Sequence, residues 1–258
     1  MFPPIQDLSA CRILLSNDDG INAPGLEVLE NIARTLTDDV WVVAPAHEQS
    51  GAGHSLTLHH PLRPTQLGDK RYMIDGTPTD CVLIAAQHLM KDAPPDLVLS
   101  GINMGANLGE DVHYSGTVAA ALEATLQGLP AIAFSQLMDG APHWNTPESY
   151  AADIIRSVCK ASWGRDTLIN VNFPDLPVNE VRGIKLARQG KHKLGDDLIL
   201  REDPRGRPYM WIGAPRMSDT KDEGTDLNIT AAGYISVTPL CVDLTDYKTL
   251  DALTQVLE

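Results

Sequence analysis

Short apolar runs alternate with helix-periodic segments through the first two-thirds of this 258-residue chain, and that alternation limits the fold more than any other feature. Cys11 to Leu15 is a compact apolar run bounded by polar residues, the pattern of a strand buried on both faces. A polar turn follows, then Pro24 and the apolar positions Leu26, Leu29, Ile32, Ala33 and Leu36, one face of a helix whose first turn suits proline. Val40 to Val43 reads as a second buried strand. Leu56 to Leu58, Tyr72 to Ile74, Leu97 to Leu99, Ala131 to Phe134 and Leu168 to Val171 read as further strands. Helices are expected from a Thr79 cap to about Met90, over Thr117 to Gln127 with Gly128 as the stop, and over Pro147 to Trp163 with Thr146 as the cap. This succession predicts an α/β fold with a mainly parallel sheet flanked by helices.

The pattern changes near Pro174 to Pro177, which divides the chain into a core over 1–178 and a C-terminal extension over 179–258. In the extension, Leu198 to Leu200 and Tyr209 to Ile212 flank the turn sequence Asp203-Pro204-Arg205-Gly206, predicting a β-hairpin. On spacing alone it is equally an edge hairpin and an oligomerisation arm.

The formal net charge of −14 repels polyanions, and no Lys/Arg cluster offers a local exception, so a nucleic-acid duplex is not an expected partner. A small phosphate ester is compatible if a cation neutralises it. Cys11, Cys81, Cys159 and Cys241 are widely spaced beside apolar residues, which predicts four small buried side chains rather than disulfides or a zinc site. No leader-like opening and no run of about eighteen apolar residues occurs, so the expected compartment is the cytoplasm, with no membrane partner.

Three stretches carry chemistry. Ser16-Asn17-Asp18-Asp19-Gly20 follows the first buried strand, and open α/β sheets bind ligands at the carboxyl ends of their strands. Adjacent carboxylates there call for a positive partner, and a hard divalent cation fits oxygen ligands. A lone Asp-Asp-Gly would read instead as a polar turn; its position after a strand favours the cation. Ser50-Gly51-Ala52-Gly53-His54-Ser55 offers close backbone approach and hydroxyls that can ligate a metal or a phosphate, although most Ser/Gly stretches are loops. His47 and His54 are candidate general acids, set against the commoner surface or structural histidine. The segment from Ser100 to Thr117 holds Asn103 and Asn107 among glycines. It ends in Ser115-Gly116-Thr117 at a helix start, where free N–H groups suit phosphate; the plainer alternative is a tight loop capped by Ser115. GxxxxGK[ST], GxGxxG after the first strand and GxSxG are all missing, which argues against P-loop, dinucleotide and serine-hydrolase chemistry.

Taken together, ILLSNDDGINAPG, VVAPAHEQSGAGHSLTL, DGTPTDCV, PDLVLSGINMGANLGEDVHYSGTVAAALEA and GTDLNITAAGYISVTPL, in order from residue 13 to about 240, resemble the SurE survival-protein family of metal-dependent nucleotidases. The resemblance implies a Rossmann-like core and a C-terminal portion used for assembly into a homodimer or homotetramer with exchanged elements, with the hairpin as an extended arm. It implies nucleoside monophosphates as substrates, with some activity on 3′-phosphates and short polyphosphate. It also implies one divalent cation per subunit, magnesium or manganese, held by Asp18, Asp19, Ser50 and Asn103, with Asn107, Ser115, Gly116 and Thr117 on the phosphate side. Asp18 and Asp19 are the catalytic candidates, Asp18 as the group that orients or deprotonates the attacking water. Two positions depart from the family pattern: Ala46 stands where an acidic residue often follows Ala-Pro, and Gln49 where a basic residue usually precedes Ser50. Both leave the metal ligands intact and bear on substrate preference. A metal-dependent nucleotide sensor without turnover would be expected to have lost a ligand, and none is lost.

Overall fold

The computed structural model describes residues 1–191, 198–212 and 220–257. The first strand, β1 (Ile13–Ser16), feeds α1 (Pro24–Arg34), β2 (Val40–Pro45) and the outer pair β3 (Pro64–Gly68) and β4 (Arg71–Ile74). After α2 (Pro78–Ile84) the chain crosses to β5 (Leu97–Met104), α3 (Gly116–Leu126), β6 (Ala131–Gln136), α4 (Asn145–Cys159) and β7 (Thr167–Phe173). β8 (Ile184–Leu186), the hairpin β9 (Leu198–Glu202) and β10 (Pro208–Ile212), α5 (Asp226–Ala231), β11 (Ile235–Cys241) and α6 (Tyr247–Leu257) complete it. Nine strands form one sheet in the order β3-β4-β2-β1-β5-β6-β7-β11-β8, antiparallel only at β3–β4 and β7–β11. The expected Rossmann-like architecture and hairpin are both present. β8 and β11, from beyond residue 178, belong to the same sheet as the core strands.

Alternation along β1 explains why every residue of it is apolar until Ser16. Ile13 and Leu15 pack with α1 and α4 on one face, and Leu14 packs with α2 and α3 on the other. The chain winds outward from β1 through β2, then returns to lay β5 against the other side of β1, with Ser16 opposite Ser100. The order therefore reverses between β1 and β5. A crevice opens where two adjacent strands send their connections to opposite sides, and this is the ligand position of such sheets.

Several local expectations need correction. Leu56 to Leu58 is not a strand: Thr57 N–H donates to Asp80 Oδ1 (3.1 Å) and Ser55 O accepts from the Thr77 hydroxyl (2.7 Å), so the start of α2 holds this stretch. The strand that does pair with β4 is the exposed β3. Thr77, not Thr79, caps α2, in a reciprocal box with Asp80 and with Pro78 in the first turn. Thr146 lies inside α4 and donates to Leu176 O instead of capping. Cys241 is exposed while Cys11, Cys81 and Cys159 are buried, because β11 runs past the core at its end. Among the described residues no helix is long and apolar enough to cross a membrane.

Candidate active site

The turn after β1 is fixed by its own side chains. Asn17 Nδ2 donates to Gly20 O (3.0 Å), Gly20 takes φ +101°, and Ile21 N–H returns to Pro45 O at the end of β2 (2.8 Å). Asp18 and Asp19 thereby emerge side by side at the β1–β5 crevice. Gln49 N–H donates to Asp18 O (2.8 Å), which ties the Ser50 loop to the same turn. On the other side, the register between β5 and β6 shifts between Ser100 and Asn103, an irregularity of the kind that re-aims a side chain at a strand end. The Asn103 amide nitrogen donates to Gly105 O (2.9 Å), which leaves its oxygen available as an acceptor or ligand. Met104 N–H donates to Asp19 Oδ2 (3.2 Å), joining the two strand ends directly.

Asp18, Ser50, Asn103, Asn107 and Ser115 line one open cleft of about 280 Å³, with Asp111 and the exposed Tyr114 at its side. Five sequence-predicted positions from three distant stretches thus meet in one place, while Asp19 stands beside the cleft lining, held by Met104 N–H. Gly116 and Thr117 lie behind Asp18 rather than on the cleft wall. A Cβ at Gly116 would stand 2.6 Å from Asp18 Cβ and 2.9 Å from its Oδ2, so only glycine lets the α3 N-terminus come this close. The Thr117 hydroxyl donates to Asp18 Oδ1, and backbone N–H groups of Gly116 and Thr117 also bond the carboxylate. The positive end of α3, expected from sequence to take a phosphate, here holds Asp18. Ser115 caps α3 by accepting from Val118 N–H (3.0 Å), and its own hydroxyl proton stays available to the cleft. Asn107 is the most heavily anchored residue. Its N–H donates to Asn172 Oδ1 (2.8 Å), its Nδ2 to Ser135 Oγ (2.7 Å), and its carbonyl accepts from Asn170 and Asn172. Neither these β7 asparagines nor Glu48, which accepts from the Ser50 hydroxyl (2.9 Å), stood out in sequence. Only their place near strand ends offered a signal.

Electrostatics set the need of this site. Burial pushes the Asp18 carboxyl above its ordinary range, against the Thr117 hydroxyl and the surrounding N–H groups. Asp19 is pushed up to about 6 by burial and then by the charge of Asp18, with Met104 N–H opposing and Glu48 adding. Two crowded carboxyls beside neutral hydroxyl and amide oxygens form an all-oxygen donor set. That set fits magnesium or manganese, which accept few carboxylates and keep waters. Among the described residues there is no group of three or more His, Cys, Asp or Glu that could hold a metal. The neutral donors Ser50 and Asn103 are therefore essential to this set. Neither candidate acid, His47 or His54, lines the cleft, and His54 instead contacts Glu123 on α3 (3.0 Å).

Known proteins are similar to this chain in sequence and fold. The family model of survival protein SurE matches residues 13–196. The chain is 61% identical to 5′-nucleotidase SurE of Rhodospirillum rubrum over 98% of this chain and 99% of that one. It is 58% identical to the protein of that name from Paramagnetospirillum magneticum, over 98% of each. The crystal structure of the SurE protein of Aquifex aeolicus superposes with a TM-score of 0.85 at 41% identity, covering 96% of this chain and all of that one. On its fold, its motifs and these relatives, the chain belongs to the SurE family.

Proposed function

We propose that this chain is a 5′-nucleotidase, a phosphoric monoester hydrolase that releases phosphate from nucleoside 5′-monophosphates with one magnesium or manganese ion per subunit. The observation that carries the reading is the meeting, at the β1–β5 crevice, of two crowded carboxyls with neutral oxygen donors from the Ser50 loop and the end of β5. The names of relatives 50–61% identical support the substrate class.

Asp18, Asp19, Ser50 and Asn103 would hold the ion. When bound it would neutralise phosphoryl charge and acidify a water. The protein's own residues do the positioning. Asp18, clamped from behind by Thr117 and the α3 N–H groups, offers a fixed carboxylate to orient and take a proton from the attacking water. The Ser115 hydroxyl and the second amide hydrogen of Asn107 are free to donate to phosphoryl oxygens, in positions set before substrate arrives. Substrates with a 3′-phosphate, and short polyphosphate, present the same terminal phosphoryl group and belong in the same reading.

We also infer assembly with further copies of this chain. The two-stranded β9–β10 hairpin is exposed along its whole length, Trp211 at 64% and Ile212 at 80%, and an isolated hairpin is marginal in water without a partner. The test of function is phosphate release from a panel of nucleoside 5′- and 3′-monophosphates and tripolyphosphate, with manganese and then with chelator. Metal-dependent release from 5′-monophosphates is expected. Nucleotide binding without release would make the protein a metal-dependent sensor instead.

A further inference from the structure

Among the described residues Asp226 lies as deep as any carboxylate, fully buried at the first turn of α5 and outside the cleft. Its oxygens accept from three backbone groups: Gly109 N–H (2.9 Å), Gly190 N–H (2.8 Å) and its own neighbour Leu227 N–H (2.9 Å). The Gly109 donor sits in the loop that carries Asn107 two residues earlier and leads through the turn Gly109–His113 to Ser115. Gly109 is held on its other side as well, since its carbonyl accepts from Gln189 Nε2 (2.9 Å). Both backbone groups of this one site-loop residue are thus engaged by residues flanking the chain segment that carries the β9–β10 hairpin.

That segment leaves and returns at the same point. Arg188 N–H donates to Gly224 O (3.0 Å), Asp226 N–H donates to Arg188 O (2.9 Å), and Gly190 packs so tightly that a Cβ would stand 2.9 Å from Asp226 Oδ1. We infer that Asp226 is a positioning residue for hydrolysis, its carboxylate joining the root of the hairpin arm to the loop that presents Asn107 and Ser115 to phosphate. The inference rests on the proposed phosphatase reading. A carboxylate is suited to this place because it accepts on both oxygens, and an amide of the same shape accepts on one only.

Three full-length proteins test it: wild type, Asp226→Asn and Gln189→Leu, which removes the hold on the Gly109 carbonyl alone. Asp226→Asn sets an NH₂ against Gly109 or Gly190, so the loop gives way around Gly109, while α3 keeps its own hold on Asp18 through Gly116 and Thr117. The expected result is a rise of about tenfold in KM for a nucleoside 5′-monophosphate and in the inhibition constant of inorganic phosphate, on the scale of one charge-assisted hydrogen bond. Manganese binding, read by electron paramagnetic resonance, should stay within about twofold, and amide exchange over residues 107–115 should accelerate. Gln189→Leu should shift the same quantities in the same direction, and it carries the test if Asp226→Asn does not fold. A merely structural role predicts a smaller active fraction with unchanged KM, unchanged phosphate inhibition and unchanged exchange, and that result overturns the inference. Should the wild type release no phosphate from any nucleotide, the proposed function fails, and exchange over 107–115 alone then decides for or against the tie.

Discussion

Removing the charge of Asp19 should stabilise the metal-free protein. Its carboxyl stands at about 6 in the fold against an ordinary 3.8, because it is half-buried and beside Asp18. At about 1.4 kcal/mol per pH unit, that difference would cost the folded state roughly 3 kcal/mol once both forms are ionised. Solvent reaching the exposed part of the side chain screens the repulsion, so about 1 kcal/mol is the working figure. The direction follows from proton linkage. Between about pH 4 and pH 6 the folded protein holds a proton that the unfolded chain has released, so stability falls as pH rises through that window and stays lower above it. Asp19→Asn abolishes this slope. In chelator at pH 7.5 the variant should melt roughly 2–4 °C above wild type, the shift expected from about 1 kcal/mol in a chain of this size. At pH 3, below both values, the two should coincide. Manganese should raise the wild-type melting temperature and leave the variant nearly unmoved, and phosphate release by the variant should fall by about a hundredfold or more. A variant that melts below wild type in chelator at pH 7.5 would show that Asp19 is not electrostatically frustrated, and the argument for a cation would lose its physical basis.

Other substitutions probe the parts around it. Gly116→Ala places a methyl 2.6 Å from Asp18 Cβ, so it should cost about 1–3 kcal/mol in urea unfolding and lower phosphate release at least about tenfold by moving α3 off the carboxylate. Gly25→Ala drives a Cβ to 1.9 Å from Ile102 O, where α1 crosses β5; a loss of roughly 3 kcal/mol is expected, and a melting temperature equal to wild type would contradict the packing. Trp211→Glu puts charge on the bare hairpin, and light scattering should report a smaller assembly than wild type at equal concentration.

The sheet and its flanking helices were legible because their residues carry their own signal. β1, β2 and β6 are apolar on both faces until their carboxyl ends, β7 carries Leu168, Ile169 and Val171, and the Leu26–Leu29–Ile32–Ala33 stripe repeats at the helix period. Leu56 to Leu58 misled because a short alternating run says nothing of whether a neighbour exists to pair with it, while β3, exposed throughout, exists only because β4 does. Thr77 has the stronger cap signal: proline next and an acid three residues on mark a helix start better than Thr79 does. The membership of the cleft was legible by motif, since Asp18, Ser50, Asn103, Asn107 and Ser115 all reach it. What each group does there was not. That α3 points at Asp18, that β7 asparagines immobilise Asn107, and that Asp226 grips Gly109 from 117 positions away are contacts between segments whose meeting depends on the strand order.

The proposed hydrolysis requires a hard ion at the β1–β5 crevice. Crystals of the protein soaked in manganese, with data collected for anomalous scattering, locate it directly. The predicted result is one peak per subunit within coordination distance of carboxylate oxygens of Asp18 and Asp19, the Ser50 hydroxyl and the Asn103 amide oxygen, about 2.1–2.3 Å. A peak bound elsewhere, with the β1–β5 crevice empty at saturating manganese, would contradict it.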